Sequence, residues 1–309
     1  MPKPRSKFVD FTVYFLVRLV VCFLQALSFR AACQAANILA WLIYHIDRRH
    51  RLVALDNLRH AFGEGDAEGR DRLVRAVYRH FCLMLMEIIH LPRRLHPQNW
   101  KQHMKLLNPR SIVQVLLSGQ PVLVVSGHFG NWELGGYVLA LLGFRTHAIA
   151  RPLDNPYLDA FLRRFRESTG QKVLRKDGDF DKMQQVLASK GILLTLGDQD
   201  AGQKGLFVDF FGRPASTHKA VALLALEYNV PMMVLTSTRA DSKGRYEAEI
   251  ADLIDPQEYR GRPDAVPALT QRFTTALERM IRRHPEQYFW LHRRWKHQPK
   301  RRNKGKQAA

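Results

Sequence analysis

Residues 121–142 read PVLVVSGHFGNWELGGYVLALL, and this stretch decides the fold. Pro121 to Ser126 is short and β-branched, opened by a proline and closed by Gly127, which is the pattern of a buried strand. From Trp132 to Leu142 the chain is apolar all round and ends at Gly143, which predicts a buried helix despite Gly135 and Gly136. The turn between them carries His128 and Glu133, an imidazole and a carboxylate five positions apart.

Outward from this unit the same alternation recurs. Strands are predicted at about 145–150, 172–175, 192–197, 206–211, 232–238 and 246–251, and helices near 155–168, 180–189, 217–228 and 264–283. Upstream, 52–91 is helical in pattern, broken at Gly63-Glu64-Gly65. Strands alternating with helices define an α/β fold, here a largely parallel central sheet flanked by helices. Strands 232–238 and 246–251, joined by a turn at Asp241 to Gly244, are expected to be antiparallel.

With 309 residues, 46% of them hydrophobic, the chain can bury one large core and is not a disordered protein. The expected division is an N-terminal membrane anchor or helical hairpin (1–46), a main domain (47–297) and a basic mobile tail (298–309). Phe11 to Phe29 is a run of about 19 residues, roughly 28 Å as a helix against a hydrocarbon core of about 30 Å. Arg18 interrupts it and both flanks are basic, with Lys3, Arg5 and Lys7 before and Arg30 after, so no orientation follows. A spanning helix, a shallow hairpin with the apolar run 31–46, and a signal peptide cleaved near Ala26-Leu27-Ser28 all fit this pattern. Cys22, Cys33 and Cys82 have no metal-ligand spacing and read as small buried hydrophobes.

The charge is extreme: 48 Lys and Arg against 28 Asp and Glu give a formal +20 and a pI near 10.3. Such a chain seeks anions. No nucleic-acid-binding signature accompanies the charge, so no nucleic-acid partner is expected. An anionic bilayer, a phosphorylated glycolipid and an acidic carrier protein each account for it, as does a well-solvated basic surface.

The His128–Glu133 pair suits removal of a proton from a hydroxyl. A neutral imidazole accepts it, and a carboxylate on the far ring nitrogen fixes the tautomer. Glu133 is expected to orient His128. Five positions on an ideal helix are about 140° apart, so the pair meets only with His128 in the loop and Glu133 in the first turn. A first-turn acid favoured by the helix dipole, beside a hydrogen-bonded loop histidine, fits the same residues. Gly127 and Gly130 leave room for a substrate carbonyl, and amides near Gly130 are candidate oxyanion donors. Arg151, at the end of the run 145–150, is expected beside the strand that carries His128. Its fork suits a phosphate, with an ion pair to Asp154 or Asp159 as the alternative. Asp198 and Asp200 end another strand and read as carboxylates that hold arginines, Asp200 on Arg151, Lys204 or the following loop. Ser216 and Thr217 read as helix caps. No GxSxG elbow or catalytic cysteine is present, so transfer without a covalent intermediate is expected.

HFGNWE resembles the histidine, four residues, acid signature of glycerolipid and lysophospholipid acyltransferases, in the glutamate form of the bacterial lipid A biosynthesis acyltransferases. Three further stretches are similar in the same order: Arg151 to Pro156 (RPLDNP), Asp198-Gln199-Asp200 running on to Phe207 to Gly212 (FVDFFG), and Pro285 to Trp295 (PEQYFWLHRRW). Asp56-Asn57-Leu58 is similar too. Asp209 departs from the pattern, where members usually carry proline. The resemblance implies an enzyme of the inner membrane's cytoplasmic face. It would move an acyl chain from acyl carrier protein or acyl-CoA to a glycolipid acceptor, at an anionic membrane surface. His128 and Glu133 would be catalytic, and Arg151, Gly130, Asn131 and Asp200 would bind substrate. No cofactor and no metal are implied. Acylation of a mannosylated phosphatidylinositol or a lysophospholipid is the alternative within the class, and a non-catalytic anionic-lipid or nucleic-acid binder the alternative outside it.

Overall fold

A computed structural model describes residues 6–176, 178–241 and 243–299. Helices α1 (Lys7–Ala26), α2 (Phe29–Ile46), α3 (Arg48–Phe62), α4 (Ala67–Arg94) and α5 (Trp100–His103) precede β1 (Met104–Leu106) and α6 (Pro109–Leu116). Then follow β2 (Val122–Ser126), α7 (Trp132–Leu141), β3 (Thr146–Ala150), α8 (Pro156–Glu167), β4 (Lys172–Arg175), α9 (Phe180–Ala188) and β5 (Ile192–Leu196). The chain continues through β6 (Leu206–Phe210), β7 (Arg213–Thr217), α10 (Ala220–Glu227), β8 (Met232–Arg239), β9 (Tyr246–Ile254) and α11 (Ala265–Arg283).

Seven strands form one sheet in the order β1-β9-β8-β2-β5-β3-β4, parallel throughout except between β8 and β9. The fold is therefore the α/β arrangement expected. β2 lies in the middle with both faces covered, which is why its sequence is apolar without alternation. Leu123 and Val125 join one core layer with Leu193, Val234 and Phe273, while Val122 and Val124 pack on the other face with Ile192 and Met233. Each such side chain, fully buried, contributes about 1.5–3 kcal/mol.

The structure departs from the sequence expectation at several elements. β6 and β7 pair only with each other, outside the main sheet. Their two-residue turn, Phe211 (φ 57°) and Gly212 (φ 74°), has both residues left-handed, as a tight hairpin requires. Ser216 and Thr217 are thus buried strand residues and not caps, and α10 starts only at Ala220. Asp209 sits in β6, where its N–H donates to Gln271 Oε1 at 2.7 Å, a bond that proline could not make.

The N-terminal helices are docked on the main domain. Ala32, Ala36, Ala40 and Tyr44, four apart along α2, share one face and pack against the stretch of α4 around Val74, Val77 and Tyr78. α1 is long and apolar enough to cross a membrane, yet its inner edge is tied along the domain. Asn155 Nδ2 donates to Asp10 O at 2.8 Å, and Gln25 Nε2 donates to Ile89 O at 3.0 Å. Between these ends, the Arg18 guanidinium lies 4.5 Å from the centre of the Phe161 ring. The outer edge exposes Phe8, Phe15, Leu16, Val20 and Phe23. The basic residues Lys3 and Arg5, and 300–309 of the expected tail, lie outside the described residues.

Candidate active site

Strand register places His128. β2 and β5 pair in parallel with Ser126 opposite Leu196. Two residues further on, His128 and Asp198 stand side by side beyond the carboxyl ends of their strands, where ligands bind in open α/β sheets. Asp198 accepts the backbone N–H of His128 at 2.9 Å with one oxygen and meets Nδ1 at 2.9 Å with the other. A carboxylate only accepts, so Nδ1 carries the hydrogen and Nε2 holds the lone pair. Gln199 Nε2 lies 3.3 Å from His128 Nε2, and Trp132 packs edge-on with ring centres 5.0 Å apart. Gly127 keeps this arrangement possible, since a Cβ there would lie 3.2 Å from the Asp198 carboxyl carbon.

The turn itself is clamped from three sides. Gly130 N–H donates to Gln287 O at 3.0 Å, Asn131 N–H to Ser237 O at 2.8 Å, and His80 Nε2 reaches Gly130 O at 3.1 Å. Gly130 adopts φ 64°, and a Cβ there would come within 1.9 Å of Ser237 O, so no other residue fits. Burial, helped by the Arg239 charge, pushes His80 down to about 3, so it stays neutral and serves as a donor. Gln287 also grips the Arg239 peptide, accepting its N–H at 2.7 Å and donating to its carbonyl at 3.1 Å. Beneath lies Glu87, paired with Arg239 and accepting from Tyr246.

Burial opposes the charged form of His128, but the adjacent Asp198 outweighs it, so His128 titrates above the ordinary histidine value. Burial also works against the Asp198 carboxylate. The His128 charge and its hydrogen bonds overcome that and hold Asp198 below the usual carboxylate range. Burial and the nearby Asp198 push the Tyr288 phenol far up, so it remains neutral.

Several expected roles change. Glu133 does stand in the first turn of α7, but it does not take Nδ1: Asp198 does, because register sets it opposite. Glu133 pairs instead with Arg166 of α8, with Arg166 Nε at 3.0 Å and Nη2 on the other oxygen, and accepts Trp132 Nε1 at 3.2 Å. Asn131 is fully buried; its side-chain oxygen caps α7 by accepting Leu134 N–H at 2.9 Å, which leaves it no surface for a substrate. The Gly130 amide, expected to face an oxyanion, is already bonded to Gln287. Asp200 holds neither Arg151 nor Lys204 but the loop that follows, the third alternative, accepting Gly202 N–H at 3.3 Å; it also meets His297 Nδ1 at 2.6 Å while its N–H donates to His292 Nε2 at 3.1 Å. Arg151 is not beside the His128 strand, because β5 lies between β2 and β3. It is 79% exposed and only 3.5 Å from Asp154, the ion-pair alternative in loose form. With Asp159, Arg163 and Arg166 it lines a depression between α8 and the ends of β3 and β4.

A strand-end histidine backed by a buried carboxylate is an arrangement able to move a proton, and the chain's relatives are acyltransferases. The description "bacterial lipid A biosynthesis acyltransferase" matches residues 3–297, and the chain belongs to that family. A lipid A biosynthesis palmitoleoyltransferase of Escherichia coli is 25% identical over 256 residues, 82% of this chain and 80% of that protein. A lipid A biosynthesis lauroyltransferase of the same organism is 29% identical over 189 residues, covering 58% and 57%. A phosphatidylinositol mannoside acyltransferase of Mycolicibacterium smegmatis is 25% identical over 175 residues, covering 55% and 57%. The protein is an acyltransferase, and its family acts on lipid acceptors.

Proposed function

We propose that this protein moves a fatty acyl chain from an acyl thioester, carried by acyl carrier protein or CoA, to a hydroxyl of a phosphorylated glycolipid of the lipid A type. The observation that carries this reading is the His128–Asp198 pair, with the basic lone pair of Nε2 on the side away from the carboxylate. His128 Nε2 takes the hydroxyl proton as the oxygen attacks the thioester carbonyl. The tetrahedral intermediate then collapses, the carbon–sulfur bond breaks, and the imidazolium returns its proton to the leaving thiolate. Asp198 steadies the imidazolium in between, and general-base assistance of this kind contributes about 10²–10⁴-fold. Arg151, exposed and loosely paired, supplies a fork for the acceptor's phosphate. The apolar outer edge of α1 and the +20 charge support a seat on an anionic membrane, in this reading the cytoplasmic face of the inner membrane.

The test is transfer by purified protein, read by lipid mass spectrometry, with a lipid A precursor and a phosphatidylinositol mannoside as rival acceptors. His128→Ala should lose about 10² or more of the rate while keeping its fold and membrane binding. Activity within a few-fold of wild type would sink the proposal. Transfer to the mannoside alone would reassign the acceptor.

A further inference from the structure

We propose that Glu133 serves the acceptor rather than the imidazole: it holds Arg166 of α8 in an anion subsite that takes the acceptor's phosphate. This rests on the acyl-transfer reading above. Glu133 makes no hydrogen bond to His128: Nδ1 is held by Asp198 at 2.9 Å, and Nε2, 3.3 Å from Gln199 Nε2, faces the reacting hydroxyl in the proposed mechanism. Glu133 is instead committed to Arg166 through both of its oxygens, in a pair whose side chains are only 12% and 20% exposed. Such a two-pronged contact fixes a guanidinium plane, which a single oxygen does not. The Trp132 indole N–H, 3.2 Å from Oε1, locks the carboxylate in turn.

Arg166 is held at the depression that Arg151 and Arg163 also line. Glu133 engages its Nε and Nη2, and the Nη1 corner remains for a ligand. The neighbouring cations are weakly matched: Arg163 is 4.0 Å from Asp159, whose Oδ1 already accepts Leu153 N–H at 2.8 Å, and Arg151 is 3.5 Å from Asp154. Three guanidiniums and one carboxylate, Asp159, line the depression, and the Arg151 and Arg163 pairs at 3.5 and 4.0 Å are long enough for a phosphate monoester of the acceptor to compete for those forks. Glu133 acts at His128 only through space, where Arg166 opposes it. Glu133 is on this view a positioning residue.

The experiment measures kcat and KM across pH for wild type, Glu133→Gln, Arg166→Gln and Asp198→Asn. It uses a phosphorylated glycolipid acceptor and the same lipid after phosphatase treatment, with circular dichroism to check folding. Glu133→Gln and Arg166→Gln should each raise KM for the phosphorylated acceptor about tenfold or more, with little change on the dephosphorylated one. Their double variant should be no worse than either single, as partners in one contact behave. The acid limb of the rate profile should move slightly down for Glu133→Gln and slightly up for Arg166→Gln, as their opposed charges at His128 require, and much further down for Asp198→Asn. A Glu133→Gln enzyme whose acid limb moves like that of Asp198→Asn, with acceptor KM unchanged, overturns the proposal. If the neutral variants do not fold, Arg166→Lys carries the same test, since it keeps a cation for Glu133 but loses the fork. A wild type that discriminates between the acceptors while the variants lose on both alike overturns this subsite and leaves the acceptor reading standing. A wild type indifferent to the phosphate removes both.

Discussion

At the scale of single residues, His128 and Asp198 set the pH behaviour. A general base works only when neutral, and Asp198 raises His128 above its ordinary value of about 6.5, so kcat/KM should fall as pH drops through a midpoint above that value. Asp198→Asn removes the carboxylate and leaves burial, which lowers the midpoint. The variant should therefore shift the acid limb to lower pH while cutting the plateau by about 10²–10⁴. An unmoved limb in a rate-pH profile would show that another group titrates. The linkage to stability has two sides. The raised His128 adds stability that is complete below about pH 6.5 and lost as pH rises through its folded value. The depressed Asp198 adds stability that is complete above about pH 3.9 and lost as pH falls through its folded value. The pair therefore supports the fold most between those limits, while the proposed mechanism needs the alkaline side, where the histidine has released its proton. His128 was legible because a strand, a glycine and a helix frame it. Asp198 was not legible as its partner, because a contact 70 residues away depends on which strand pairs with β2 and in what register. Glu133 differs for the opposite reason: nearness in sequence suggests a hydrogen bond to His128, whereas both its oxygens go to Arg166 of α8.

At the scale of elements, the strand-turn-helix unit is rigid because other elements complete its backbone bonds. β8 supplies Ser237 O, the segment after α11 supplies Gln287 O, and α4 supplies His80. Gly130→Ala would require a left-handed alanine, about 1–2 kcal/mol, and relief of its clash with Ser237 O, about 1–3 kcal/mol more. The expected result is a loss of roughly 2–5 kcal/mol in denaturant unfolding, with activity falling further because His128 rides on the same turn. A variant as stable and active as wild type would show that the turn has room to relax. Strands β2, β3, β4 and β5 were readable as short apolar runs between helices. β1 and α6 were missed because they are brief, and β7 because Ser216 and Thr217 resemble caps. Their true role is to receive Arg294, whose Nη1 and Nη2 donate to Ser216 O and Thr217 Oγ1 at 2.5 and 2.6 Å, a buried match that no local pattern announces. Asn57, read only as part of a resemblance, proves to tie α3 to the same C-terminal segment through the carbonyls of Trp290 and His292, both at 2.7 Å.

At the scale of the molecule, the question is how the catalytic domain meets its lipid. α1 has about 30 Å of helix, the thickness of a hydrocarbon core, so length alone permits a crossing. Its contacts argue otherwise. It is bonded to Asn155 near one end and to Ile89 and Arg93 near the other, with Phe161 beneath its middle. If α1 crossed the bilayer in this arrangement, α8 and the end of α4 would be drawn to hydrocarbon depth with Arg93, Arg163 and Arg164. Each such charge costs about 2.5–3.5 kcal/mol at mid-bilayer on insertion scales. A helix lying in the interface would meet none of that cost: the inner edge would stay on the protein, and the exposed Phe8, Phe15 and Phe23 would enter the lipid. Such a seat would also set the depression between α8 and the sheet close to the membrane surface, within reach of an acceptor headgroup. The expectation is that Lys7→Cys and Lys296→Cys, each in a background with Cys22, Cys33 and Cys82 replaced by serine, react with an impermeant maleimide from the same side of sealed vesicles. Deleting residues 1–30 should then leave a basic protein that still binds anionic vesicles at low salt and leaves them at high salt, because its remaining attraction is screened beyond about 10 Å at 0.1 M. Labelling of the two cysteines from opposite sides would mean that α1 leaves the domain to span the bilayer, and its contacts with α8 and α4 would have to break in the membrane.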